Sequence, residues 1–175
     1  ATILATMPGL PMFGHGQVEG FAEKYGMEFR RALWDEPIDR HLVERHERES
    51  FPILRRRARF AGVDDFLLYD FFTPDGTVNE DVYAYSNRLG EERTLVLYHN
   101  RFAETRGYVK SSAAYARKTG RGDEKTLVQR PVFEGLGLRD GDDWWCILRD
   151  QASGLEFLRN NRQIRDEGLY VELGA

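Results

Sequence analysis

Met7-Pro8-Gly9-Leu10-Pro11-Met12-Phe13-Gly14-His15-Gly16-Gln17-Val18-Glu19-Gly20 packs two prolines and four glycines around a short apolar run, then turns polar. Residues 9–14 read as a short buried strand, with Leu10, Met12 and Phe13 as its apolar content and glycine and proline as its punctuation. Residues 1–6 read as the end of a helix. The stretch lies so close to residue 1 that the element it completes is expected to begin earlier. The chain therefore reads as a piece of something larger.

Downstream, residues 15–35 lack a clean period and read as a long loop with short helical turns. Loops of this length in compact domains often carry function. Asp35 or Glu36 is expected to cap a helix with Pro37 in its first position, carrying Ile38, Leu42 and Val43 on one stripe. Ser50 is expected to cap a second, with Phe51, Leu54, Ala58 and Ala61 inward and Gly62 as its stop. Beyond Gly62 the texture changes. Residues 63–72 are aromatic and leucine-rich, and Pro74-Asp75-Gly76 marks a turn. Residues 81–89 and 93–100 alternate, which predicts a three-strand antiparallel meander. Residues 103–126 are poor in large apolar side chains and read as an exposed excursion. Residues 144–148 read as a strand, 153–167 as an amphipathic helix carrying Leu155, Leu158 and Ile164, and 169–173 as a last strand. That strand stops at the final residue, a second sign of truncation.

The chain has 175 residues, 41% hydrophobic and 13% aromatic, enough for one ordinary core. Its formal charge of -4 and pI near 5.6 argue against a general phosphate-binding surface, so no nucleic-acid partner is expected. Cys146 is the single cysteine, so there is no internal disulfide and no cysteine zinc site. No apolar run approaches the roughly 20 residues that span a bilayer, so no membrane partner is expected. Residues 1–7 carry no basic flank and are not a signal peptide. The cytoplasm is the default compartment.

Several sharper readings fail on spacing. Residues 14–20 resemble a dinucleotide fingerprint, but the third glycine comes one place late and no acidic residue closes the unit. His15 and Glu19 would share a metal only on a helix, which the glycines oppose, and His41 and His46 fall on different helix faces; no metal site is expected. Arg55-Arg56-Arg57 with Arg59 is a basic cluster, but Glu44, Glu47 and Glu49 cancel much of the nearby charge, as on a solvated helix face. Arg121-Gly122-Asp123 spells an adhesion tripeptide with nothing else to support that role. Tyr83, Tyr85, Tyr98, Trp144 and Trp145 could form a sugar-binding platform. Strand aromatics are more often core, and an exposed row of two or more rings would reverse that expectation. Cys146, mid-strand, reads as a small buried hydrophobe.

Pro8 to Gln17 resembles the eighth barrel strand and following loop of the α-amylase family of glycoside hydrolases. Tyr25-Gly26-Met27-Glu28 resembles the loop after it. Residues 37–61, ending in Phe51-Pro52-Ile53-Leu54-Arg55-Arg56-Arg57, resemble the last barrel helix. Residues 80–100, with Ala84-Tyr85-Ser86-Asn87 and Leu95-Val96-Leu97-Tyr98-His99-Asn100, resemble the β-domain that follows. The likeness runs along the chain in order and departs from the family at His15, where many members carry tyrosine. The insert at 103–126 has no counterpart in it.

The resemblance implies an α+β chain: a terminal βα unit of a (β/α)8 barrel at 1–62, then an antiparallel β-sandwich-like domain at 63–175, cut short. It implies a parent that hydrolyses or transfers α-glucans by retention, using two carboxylates about 5–5.5 Å apart. Those carboxylates, with a third acidic residue, come from barrel strands four, five and seven. No Asp or Glu in this chain matches them, so the chain alone is expected to be inactive. A whole barrel takes about 250 residues, and only about sixty precede the β-domain. His15, Gln17 and Glu19 would stand at the C-terminal end of a barrel strand, lining or supporting the sugar site. Alternatively, Gln17 and Glu19 only pin the loop through backbone hydrogen bonds. The implied partners are an α-glucan or oligosaccharide, the missing barrel portion, and a second copy through the exposed N-terminal segment. No cofactor is implied for this chain, and calcium in the parent stays open. Two other classes remain: a free-standing carbohydrate-binding β-module, and a non-catalytic interaction domain.

Overall fold

A computed structural model describes residues 1–23, 29–120 and 123–174. The chain divides into two compact units, Ala1–Ala61 and Gly62–Ala175. The described residues form an α+β structure made mostly of antiparallel strands.

The first unit opens with α1 (Thr2–Thr6). Arg57 donates from one guanidinium nitrogen to the carbonyl oxygens of Met7 (2.6 Å) and Gly9 (2.5 Å), satisfying acceptors where that helix ends. The strand expected at 9–14 is absent, and among the described residues this unit contains none. Leu10 is 85% and Met12 75% exposed. A strand needs a neighbour to take its N–H and C=O groups, and among the described residues of this unit no strand is present to supply one. The expected βα unit is thus not formed.

Asp39 starts α2 (Arg40–Arg45), its carboxylate accepting from the Leu42 N–H at 3.1 Å. The cap is therefore Asp39, not Asp35 or Glu36. The chain continues through a π-helical turn (His46–Ser50) into α3 (Phe51–Leu54) and ends in α4 (Ala58–Ala61). Ser50 makes no capping bond. Pro52 has no N–H to donate to the preceding turn, a common reason for a helix to widen locally.

The second unit is built on a five-stranded antiparallel sheet. Its strands are β1 (Leu67–Phe72), β2 (Val82–Leu89), β3 (Glu92–His99), β4 (Thr105–Ser112) and, from the chain end, β9 (Leu169–Leu173), in the order β3-β2-β1-β4-β9. The β1-β2-β3 meander forms as expected. Alternation sends Leu67, Tyr69, Phe71, Val82, Ala84, Val109 and Leu169 to one face, where α5 (Val132–Gly135) and Ile164 of α6 (Asn161–Glu167) complete the core. Tyr69 and Ser86 hydroxyls pair within it at 2.7 Å.

Two expectations fail in this unit. Residues 105–112 are not an excursion but an interior strand, β4, between β1 and β9, with Val109 fully buried. The remainder of the insert forms a hairpin, β5 (Tyr115–Lys118) with β6 (Lys125–Val128). The composition misleads because Gly107 is small for close approach: its Cα faces the Phe72 carbonyl, leaving no room for a side chain. The helix expected over 153–167 forms only from Asn161. Its first half is β8 (Glu156–Asn160), paired with β7 (Trp145–Arg149). Asn160 supplies the helix cap, accepting from the Gln163 N–H at 3.2 Å. Cys146 and Leu148 of this hairpin pack against the core. The layering is thus one large sheet with helices and small hairpins against it, rather than two extended sheets.

Candidate functional site

The loop of residues 14–23 holds the three residues singled out from sequence. Its shape follows from its glycines. Gly16 (φ +72°) and Gly20 (φ +84°) occupy left-handed backbone, and a methyl on Gly16 would fall 2.4 Å from the Phe21 Cβ. The Gly16 carbonyl accepts from the N–H groups of Gly20 (2.7 Å) and Phe21 (3.0 Å), which closes the loop on itself.

His15 is exposed and its ring lies 5.4 Å from that of Phe21. The Gln17 side-chain oxygen accepts from the Gly14 N–H at 2.7 Å, so Gln17 pins the loop. Glu19 is half-buried, and its backbone carbonyl accepts from the Asp39 N–H at 2.9 Å, tying the loop to the start of α2. All three residues share one short loop. Among the described residues no group of three or more metal-ligating side chains is present. Tyr25-Gly26-Met27-Glu28 and the first two residues of Arg121-Gly122-Asp123 lie outside the described residues.

Two carboxylates organise the next stretch: Glu23, which the sequence reading did not single out, and Glu36, which it offered only as a helix cap. Glu23, only 8% exposed, accepts from the Leu33 N–H at 2.8 and 3.0 Å and from the Trp34 N–H at 2.9 Å. Glu36 accepts from the N–H groups of Ala22 (2.8 Å) and Glu23 (2.9 Å). The pair clamps residues 22–23 to 33–36. Charge-assisted bonds of this kind are about twice as strong as neutral ones. An acidic residue on each side of an aperiodic stretch was the available signal. Around this clamp Phe13, Phe29, Leu33, Trp34 and Ile38 are exposed.

In the second unit, the face of the large sheet opposite the helices carries aromatic side chains. Tyr85 is buried against Phe66, as a core aromatic should be. Tyr83 is 44% exposed and stands 6.3 Å from Tyr98, while Tyr108 stands 5.1 Å from Tyr170. Trp144 and Trp145 are both exposed, contrary to the expected core placement, and the Arg139 guanidinium lies over the Trp144 ring at 4.8 Å. Cys146 is half-buried, and desolvation pushes its thiol pKa up, so it is no activated nucleophile.

Among the described residues no helix is long and apolar enough to cross a membrane. Compared with known protein families, curated proteins and solved structures, the chain finds no significant match.

Proposed function

We propose that this chain is the C-terminal portion of an α-amylase-family glycoside hydrolase or glucanotransferase acting on α-glucans. The observation that carries the reading is the ordered likeness of residues 8–17, 37–61 and 80–100 to the end of that family's barrel and its following domain. Two features of the structure support it. The division between units falls after Ala61, where the likeness changes from barrel to β-domain. Leu10 and Met12 stand in solvent on a segment that forms no strand, as a barrel strand would without its neighbours.

In the assembled enzyme, residues 9–14 pair with adjacent barrel strands. His15, Gln17 and Glu19 then stand at the catalytic face, held in place by the glycine-closed loop and the Glu23–Glu36 clamp. The attacking carboxylate and the acid that protonates the leaving oxygen come from other barrel strands. This chain contributes loop architecture and the β-domain.

The test is twofold. The reading frame upstream of Ala1 is expected to encode barrel strands ending in Asp and Glu, and its full product to release reducing ends from soluble starch. The 175-residue chain is expected to release none. Starch cleavage by this chain alone, or a start codon near residue 1, would overturn the proposal.

A further inference from the structure

We propose that the outward face of the β7–β8 hairpin is an interface between two copies of this chain, paired about a two-fold axis that runs along the strands. Neither the surface nor its occupant depends on the α-glucan reading.

The register of the hairpin sorts its side chains onto two faces. Cys146 and Leu148 belong to one and pack against the core. Trp145, Ile147 and Arg149 of β7 belong to the other, directly opposite Asn160, Leu158 and Glu156 of β8. An antiparallel pair with one face on a core ordinarily turns polar residues to water. Here the outward face is apolar at its centre in both strands, with Trp145 55%, Ile147 64% and Leu158 57% exposed. The hairpin is a two-stranded sheet of its own, joined to no further strand.

The charges beside the turn select a second copy as the occupant. Arg149 and Glu156 stand opposite each other there, and both are exposed. Among the described residues neither side chain makes an ion pair or a hydrogen bond. A two-fold axis along the strands, between two such faces, keeps the height of every residue and exchanges β7 for β8. Arg149 of each copy then meets Glu156 of the other, Ile147 meets Leu158, and Trp145 meets Asn160. Every contact occurs twice, as a two-fold interface requires. The other axis that stacks the faces runs across the strands. It sets Arg149 against Trp145 and Glu156 against Asn160, which leaves both charges without a counter-charge. A face whose charges are answered by its own image needs no partner of different chemistry.

Shape and size agree with a reversible dimer. A groove of about 220 Å³, lined in part by Leu158, Asn160, Gln163 and Tyr170, opens at the Asn160 end of the face. The along-strand register brings Trp145 of the second copy to its rim, the placement of an aromatic anchor. The six outward side chains offer on the order of 500 Å² per copy, or about 1,000 Å² in all, the low end of specific interfaces.

Sedimentation velocity of the 175-residue chain reads the association. Between about 10 and about 500 μM the parent chain is expected to pass from monomer to dimer, as a small interface should. Arg149→Glu and Glu156→Arg each set like charges together at both symmetric contacts, and each is expected to weaken self-association at least about tenfold. An equimolar mixture of the two variants restores opposite charges at both contacts, because each copy brings the sign the other lacks. The mixture is expected to dimerise within about threefold of the parent chain. Mixing repairs nothing that lies within a single chain, so this rescue reads the interface alone. Far-ultraviolet circular dichroism verifies each variant. Amide shifts of the parent chain on dilution give a second reading that needs no variant, with movement expected at 145–149 and 156–160. Four results would each overturn the interface: a monomer throughout the range, a dimer indifferent to either folded charge variant, a mixture of folded variants that stays monomeric, or dilution shifts confined to other residues. The second and fourth would place association elsewhere, such as the exposed N-terminal segment.

Discussion

Gly107→Ala tests the architecture of the second unit at its tightest point. A Cβ placed there falls 2.1 Å from the Phe72 carbonyl oxygen and 2.8 Å from Phe71 Cε1. Relaxed C···O contacts lie near ~3.4 Å, so β1 and β4 must separate by more than about 1 Å. The obstacle is backbone on the neighbouring strand, which cannot rotate away as a side-chain tip can. Stretching the two ladder hydrogen bonds nearest the Phe72–Tyr108 pair costs about 1–3 kcal/mol. Crowding Phe71, which is fully buried, adds about 1–3 kcal/mol. The expected loss is about 3 kcal/mol, or a melting temperature lowered by ~12 °C for a unit of this size. The control is Gly120→Ala. It makes the same chemical change where nothing lies within 4 Å and the backbone is not left-handed, so it should fall within about 0.5 kcal/mol of the parent. Urea unfolding followed by far-ultraviolet circular dichroism reads both variants. Matching midpoints for the two would refute the close approach of β1 and β4, and with it the placement of residues 105–112 as an interior strand beside β1.

Two further outcomes follow from side-chain acceptors. Glu23→Ala strips the Leu33 and Trp34 N–H groups of their carboxylate; amide exchange at both should accelerate by an order of magnitude or more, matching a local loss of about 1–3 kcal/mol, and unchanged exchange would dismiss the clamp. For Asp150, partial burial opposes ionisation, but bonds from the Ser153 hydroxyl and the Ala152 and Ser153 N–H groups outweigh it and set its pKa below the ordinary value. A depressed carboxylate stabilises the fold fully above its unfolded pKa of about 3.9 and loses that contribution as pH falls through the folded value. NMR titration should show Asp150 ionising below that value, with protection of the β7–β8 turn fading only in stronger acid; an ordinary or raised pKa would contradict the turn geometry.

The role of the loop at His15, Gln17 and Glu19 depends on what surrounds it. Within this chain Gln17 spends its side chain on the loop itself, accepting from the Gly14 N–H, and the Glu19 carbonyl accepts from the Asp39 N–H at the start of α2. His15 stands exposed beside Phe21. The loop is thus shaped by its own turn and by the start of α2, and the resemblance supplies the argument for sugar contact.

Local pattern alone settled much of the second unit. The alternation of Val82 and Ala84 against Tyr83, of Leu95 and Leu97 against Val96, and of Leu169 and Val171 against Tyr170 is a period of two that a chain carries without knowing its partners. The turn at Pro74-Asp75-Gly76 and the stop at Gly62 are likewise written in residues whose backbone preferences are intrinsic. Pairing is different. Residues 9–14 have strand composition but form no strand, and no strand pairs with them among the described residues of their unit. Residues 105–112 have loop composition but lie between β1 and β9, whose backbones fix them as a strand around Gly107. Leu155 and Leu158 carry helical spacing, yet β7 takes Leu158 into a hairpin. Which face of the sheet α5 and α6 cover depended on contacts between segments far apart in sequence. Hydrogen-bond partners and buried faces are properties of the assembled chain, and no single stretch carries them.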